Sequence, residues 1–346
     1  MGGNALKNTF TRRYAADEYY KVSSEVELIL QDEYKTRVAA LPSYRDKADF
    51  GDADILLEKT ESTSGLNDKE IIQRLFSPNE IVVNGNVISF DYKQFQIDVI
   101  RVGSENFESS FAYYSHADLG NLCGRLLHKI GVKYGHRGLD LVVRLDENQH
   151  VLSEINLTKS IDEILPLIGL SVEKFKEGFD SLDDIFRYVA SSSFFDPDIY
   201  LFHNRNHAAK IRDKKRMTYN RFLEWIKTEN PPANYHFPEK SEKGGYNIRE
   251  PFYSEIIVPA FPWIEESVAK MIRSFELRQS LKKIYNGQII FEMTGLHGKE
   301  LGSFMKNYGL STSPWSDEEI QFWISHKENL MNLVARSFED YQNEKS

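Results

Sequence analysis

The sequence predicts an α+β chain, a mixed-sheet head followed by a mostly helical C-terminal domain, and three patterns carry that expectation. Helix-like and strand-like segments alternate as far as about Asn156. An Asn-Gly pair inside Ile81–Phe90 separates two β-branched runs, a strong hairpin signal. Beyond Asn156 the apolar residues recur at helical spacing only. Taken in order, residues 15–39 hold Glu, Leu, Val and Tyr without Gly or Pro and read as one long helix. Phe95 to Val102 alternates apolar and polar residues, the period of a strand. Leu119, Leu122, Leu126 and Ile130 share one helical face within 117–130. Leu139–Leu145 and His150–Ile155 read as a strand pair that closes the head. Helices are expected over 160–169, 171–190, 207–228, 262–286 and 316–342. Polar residues with Pro and Gly over 230–250 predict a mobile loop between them. The expected domains are thus 1–156 and 157–346.

Composition bounds the function. A chain of 346 residues, 41% apolar and 13% aromatic, can bury two ordinary cores. One cysteine, Cys123, excludes an internal disulfide and any cysteine-rich zinc site, and suits a reducing cytoplasm. No run of about 18 apolar residues is present, so no membrane partner is expected. The first residues lack the apolar core of a signal peptide, and position 6 is Leu where a myristoylation signal wants Ser or Thr. The net charge of −9 argues against non-specific coating of nucleic acid, so any such contact has to be local.

The chemistry concentrates in Leu41–Leu57 (LPSYRDKADFGDADILL). Asp52 and Asp54 are two apart, and on a strand both carboxylates face one side. Two neighbouring carboxylates repel unless a cation compensates them, and hard oxygen donors select Mg²⁺. Asp98 lies inside the apolar strand FQIDVI, where a lone carboxylate is costly unless paired or metal-bound. If the two strands are neighbours, three carboxylates meet, as two-metal phosphoryl transfer requires. Separately, Asp-x-Asp also occurs in solvated turns, and Asp98 could pair with Arg101.

This arrangement resembles the DNA polymerase β-type nucleotidyltransferase superfamily, which includes poly(A) polymerases and CCA-adding tRNA nucleotidyltransferases. The family pattern is a Gly-Gly or Gly-Ser turn, a spacer, an Asp-x-Asp pair and a later third carboxylate. The resemblance places the turn on Ser43, the paired acids on Asp52 and Asp54, and the third acid on Asp98. Here Pro42 stands where Gly is usual, and eight residues separate Ser43 from Asp52. It implies a polymerase β-like head, two Mg²⁺ ions with Mn²⁺ as substitute, and an NTP donor. It also implies AMP or CMP transfer to an RNA 3′ end, with tRNA as the expected acceptor. The whole chain is similar to nucleotidyltransferase-like proteins of large bacteriophages and viruses, which implies a phage origin and a host-cytoplasmic setting. Two other readings stay open, nucleotidylation of a protein or small molecule and an inactive nucleotide- or nucleic-acid-binding module.

Further residues bear on substrates. Arg45 and Lys47 flank the turn and suit a triphosphate, or pair with Asp46 and Asp49. Asp183-Asp184-Ile185-Phe186-Arg187 is similar to the acidic motif with which CCA-adding enzymes read the incoming base, which gives that role to Asp184 and Arg187. The alternative is a solvated helix face. Residues 205–221 hold seven cations against Asp213; Lys210, Arg212, Lys214, Lys215 and Arg216 suit phosphate contacts, or pair with acidic neighbours. Gly295–Gly302 reads as a Gly-rich turn opening a helix, with Lys299 placed to meet phosphate, or as a plain helix–helix turn.

Overall fold

A computed structural model describes residues 3–145, 150–237 and 251–345. It is a mixed α+β structure that separates into two compact units, residues 1–261 and 262–346. The expected boundary near 156 falls inside the first unit, within the last strand of its second sheet.

After β1 (Tyr14–Ala15), α1 (Ala16–Tyr34) runs for 19 residues. Asp17 and Glu18 complement its N-terminal dipole, and Tyr19, Val22, Val26, Leu30 and Tyr34 form its buried stripe. The helix expected over 15–39 ends early, because Lys35 enters the left-handed region and its N–H returns to the Gln31 carbonyl. The last residues of that span instead form β2 (Val38–Ala40), an edge strand paired with Ile55–Leu57. Then come β3 (Asp49–Phe50), β4 (Asp52–Lys59), α2 (Glu61–Ser64), α3 (Asp68–Phe76), β5 (Ile81–Asn84), β6 (Val87–Tyr92) and β7 (Phe95–Gly103). The hairpin forms as expected, but Asn84 pairs with Val87, so the turn is Gly85-Asn86, one residue past the expected Asn-Gly pair, with Gly85 at φ +60°.

The central sheet has the order β2-β4-β7-β6-β5, and β4 pairs with β7 in parallel while every other pair is antiparallel. One face carries Ala53, Ile55, Leu57, Ile88, Phe90, Ile97 and Val99 against α1 and α3, all essentially fully buried. Burying each large apolar side chain contributes roughly 1.5–3 kcal/mol. The opposite face buries Leu56, Ile100 and Val102 under Phe107 of α4 (Phe107–Tyr114).

A second sheet, β8 (Val132–Gly135), β9 (Gly138–Leu145) and β10 (His150–Thr158), is antiparallel and carries α5 (Leu119–Lys129). Cys123 of α5 is buried, which pushes its thiol up to about 12. The helices that follow are α6 (Ile161–Ile164), α7 (Val172–Glu177), α8 (Leu182–Ala190), α9 (His207–Lys214), α10 (Met217–Glu229) and the short α11 (Val258–Ala260). The expected helices 171–190 and 207–228 are each two, interrupted near Gly178 and Lys215. Tyr219 donates to the Tyr200 carbonyl, and Tyr200 donates to that of Leu122, so α10 is tied to α5. Of the loop expected at 230–250, residues 238–250 lie outside the described residues. Its first part is fastened, since Asn234 donates to the carbonyls of Ala190 and Ser192.

The second unit contains α12 (Ile264–Ile284), α13 (Gly287–Thr294), α14 (Gly298–Asn307), α15 (Asp317–Ser325) and α16 (Lys327–Lys345) around Leu281, Tyr285, Phe304, Ile320 and Leu330. No helix among the described residues is long and apolar enough to cross a membrane.

Asp68 is one of several acidic residues buried in the first unit. Asp68 accepts from Tyr34 Oη at 2.8 Å, Lys59 Nζ at 2.8 Å and Arg101 Nη1 at 3.2 Å. Burial pushes its carboxyl up, and these three donors more than reverse that, so it titrates below the usual range. Removing the carboxylate leaves two cations facing each other. Asp68→Ala is expected to lower stability by about 3 kcal/mol in urea denaturation, and a loss below about 1 kcal/mol would contradict this account of the network.

Candidate active site

Parallel pairing of β4 with β7 sets Asp54 directly opposite Asp98 and Asp52 opposite Gln96. Side chains two apart share a face, so all three acids lie on the side of Leu56 and Ile100, past the end of the patch that α4 covers. On the other flank of β7, Ser89 of β6 is opposite Asp98. The trio expected from sequence is therefore assembled on one face of neighbouring strands.

Its electrostatics follow from crowding. Asp98 is pushed up to about 6, chiefly by burial, with the Asp52 charge adding and bonds from Ser89 and Gln96 opposing. Asp54 is pushed up by its surroundings, by Asp52 and by Asp98, with Lys47 opposing. Its side chain is exposed to solvent. Lys47 is the cation among the acids. Its ammonium lies 4.2 Å from the centroid of the Phe50 ring, and burial lowers its pKa while Asp52 and Asp54 pull it back. Phe50 in turn stacks on Tyr19 at 3.6 Å.

Sequence reasoning missed several residues here. Gly3 N–H donates to Asp52 Oδ2 at 2.8 Å, and Gln96 Nε2 donates to both Asp98 oxygens at 3.0 Å. Gln96 carried a legible signal, a polar residue two before Asp98 on the same strand face. Gly3 carried none, being 49 residues from Asp52. Tyr114 is close enough for the Asp54 charge to raise its hydroxyl, after burial, the larger cause.

Ser43 follows directly from the acids, for Leu41 N–H donates to the Asp54 carbonyl at 3.0 Å. It lines a cavity of about 660 Å³ walled also by Arg45, His116, Phe175, Lys176 and Phe179. The Ser43 hydroxyl and His116 Nδ1 are buried without a hydrogen-bond partner. His116 is 8% exposed and sits edge-on to Phe175 and Phe179. Burial, and then Arg45, push its imidazole down to about 4, so it is neutral at pH 7. His116 and Ala117 both have φ near +60°, a strained pair for residues with a Cβ. The His116 N–H closes the turn by donating to the Pro42 carbonyl at 2.7 Å.

Arg45 pairs with neither Asp46 nor Asp49. Its guanidinium holds Asp180 and the Glu177 carbonyl, while Arg45 N–H and Asp46 N–H donate to the carbonyls of Phe179 and Asp180. Asp184 accepts from Lys174 Nζ at 3.1 Å and from Asp180 N–H, and Arg187 stands exposed beside Asp183. Asp184 and Arg187 are outside the residues that line the cavity.

The basic stretch divides. Arg205 and Arg212 pair with the fully buried Asp213, and Arg216 pairs with Asp118. Lys210, Lys214 and Lys215 remain at the surface, Lys214 above the Phe202 ring. The stretch flanks the turn, since the Arg221 charge acts on Tyr44, and those of Arg212 and Arg216 on Tyr113. Lys299 belongs to the second unit, exposed in the first turn of α14.

Among the described residues no group of three or more His, Cys, Asp or Glu is placed to hold a metal ion. The donor chemistry nonetheless fits a hard divalent cation, with three carboxylates on one face and Lys47 compensating two of them. No protein-family model matches the chain, and no curated protein matches it.

The raised acids bind protons on folding. Their contribution to stability is full below the ordinary carboxyl value near 4 and is lost as pH rises through about 6 for Asp98 and higher for Asp54. Asp54→Asn removes the Asp54 share of this loss and leaves that of Asp98, which comes chiefly from its own burial. The variant is expected to melt with the parent protein at pH 4 and above it at pH 8 without divalent cation. Equal melting temperatures at pH 8 would show that the acids do not strain one another.

Proposed function

We propose that the protein is a Mg²⁺-dependent, template-independent nucleotidyltransferase that moves a nucleoside monophosphate from an NTP to an RNA 3′ end, with tRNA as acceptor. The observation that carries this reading is the parallel register of Asp54 beside Asp98, with Asp52 on the same face. The proposal includes a polymerase β-like identity for the head, with which a mixed sheet bearing the acids on adjoining inner strands is compatible.

Asp52, Asp54 and Asp98 are the residues that would hold Mg²⁺, which when bound supplies charge neutralisation at the triphosphate and acidifies the attacking hydroxyl. Lys47, held over Phe50 beside Asp52 and Asp54, adds fixed positive charge where phosphate would lie. Phe175 and Phe179 give the cavity aromatic walls beside Ser43 and His116, which suits the planar body of a nucleotide, while Ser43 Oγ and His116 Nδ1 themselves lie buried behind that wall. Neutral His116 reads by hydrogen bonding rather than by charge. Arg45, occupied by Asp180 and Glu177, serves the turn's shape more than the triphosphate. Surface Lys210, Lys214 and Lys215 are the acceptor's phosphate contacts.

The test is incubation of the purified chain with labelled NTPs, Mg²⁺ and total tRNA. Label is expected in RNA. Label in polypeptide would move the acceptor to protein, and label nowhere would overturn the enzyme reading. Asp98→Ala is expected to abolish transfer while NTP binding, measured by calorimetry, persists. Reversing charge at Lys214 and Lys215 is expected to weaken RNA binding and to lower the salt slope by about 1 per lost phosphate contact. An unchanged affinity would remove this surface from the acceptor path.

A further inference from the structure

The segment Gly3–Thr9 is fastened at three points, two on the acid-bearing strands and one on Glu80 in the loop before β5. Gly3 N–H holds Asp52 Oδ2 at 2.8 Å. Ala5 N–H donates to Gln96 Oε1 at 3.0 Å. Backbone N–H groups of Lys7, Asn8 and Thr9 converge on the Glu80 carboxylate at 3.0, 2.7 and 3.1 Å, and Asn8 Nδ2 adds a bond at 3.0 Å. Successive backbone donors around one carboxylate make a nest, a strong anchor for a short segment. Glu80 is itself fixed, since its N–H donates to Asp91 Oδ1 at 2.8 Å and Asn79 donates to Asp91 Oδ2 at 2.7 Å. Asp91 is buried on β6 opposite Gln96.

The middle point decides an orientation. Gln96 is 1% exposed, and its Nε2 donates to both oxygens of Asp98. Turned over, the amide would aim its oxygen at a carboxylate. The Ala5 N–H prevents that by engaging Oε1, so the donating end stays on Asp98. The seat also demands glycine at position 3, where φ is +82° and an added Cβ would meet the Gly51 carbonyl oxygen at 2.3 Å.

We infer that residues 3–9 form a clamp that positions two of the three acids, Asp52 directly and Asp98 through Gln96, with Glu80 as its anchor. Without it, like charges on one strand face swing apart. With it, each of the two carboxylates is tethered by neutral donors and keeps lone pairs for a cation. Gln96 and Glu80 are positioning residues and touch no substrate. This rests on the reading of the acids as a cation-dependent transfer site.

The test uses the full chain and Glu80→Ala, which cuts the anchor without altering an acid, with Gly3→Val as an independent way to unseat the clamp. Amide hydrogen exchange over residues 3–9 is expected to lose protection in both. Mn²⁺ titrated by calorimetry without nucleotide is expected to bind about tenfold more weakly in both, the usual size of an outer-shell effect. Glu80→Gln, which keeps one acceptor oxygen, is expected to recover part of the affinity. Transfer kcat is expected to fall with KM for NTP unchanged. Lost protection with unchanged Mn²⁺ affinity and kcat would overturn the clamp and leave the transferase reading intact. Weakened Mn²⁺ binding in a chain that transfers no label would support the clamp while the transfer reaction fails. Absence of Mn²⁺ binding by the unaltered chain would overturn both.

Discussion

Two carboxylates side by side on parallel strands are a standing repulsion, and the first unit is arranged around tolerating it. Asp54 and Asp98 share a register, with Asp52 one pleat away. Such a group of charges raises its own proton affinity, collects counter-charge, or is tied down by donors. All three responses are present. Asp54 and Asp98 titrate high, Lys47 stands over Phe50 beside Asp52 and Asp54, and Gly3, Gln96 and Ser89 supply the donors. The opposite face of the same strands is apolar and buried against α1 and α3, so the backbone beneath the charges rests on a closed hydrophobic core.

Positive charge is spent unevenly. Arg45, Arg205, Arg212 and Arg216 each hold a carboxylate, which fits the planar fork of the guanidinium. Lys214 and Lys215 stay at the surface. A stretch that looks uniformly basic is therefore a structural arginine network with lysines left over. A polyanion would meet the lysines first.

Much of this was legible because strands announce themselves by period. Asp98 within its apolar run and the Asp-x-Asp pair could be put on strands and their face inferred, and the hairpin placed β5 beside β6. What could not be read were contacts made by backbone atoms. Gly3 on Asp52, three N–H groups on Glu80, and His116 N–H on Pro42 involve no distinctive side chain and join distant residues. The end of α1 was misjudged for a related reason. Lys35 has no special helix-stopping chemistry, and pairing of Val38–Ala40 with β4, a tertiary event, outcompeted helical propensity there. Arg45 was expected to meet a triphosphate or to pair with Asp46 or Asp49, yet a partner 135 residues away holds it, which only the folded chain reveals.

Cys123 lies in α5, near the ring hydroxyls of Tyr134, Tyr188 and Tyr200, with its thiol unexposed and far from ionising. An alkylating dye in solution meets no other sulfhydryl on this chain and no reactive one while the helix stays seated. Colour therefore develops only as fast as α5 leaves its sheet, so the rate of dye uptake times the opening of the first unit without any engineered label.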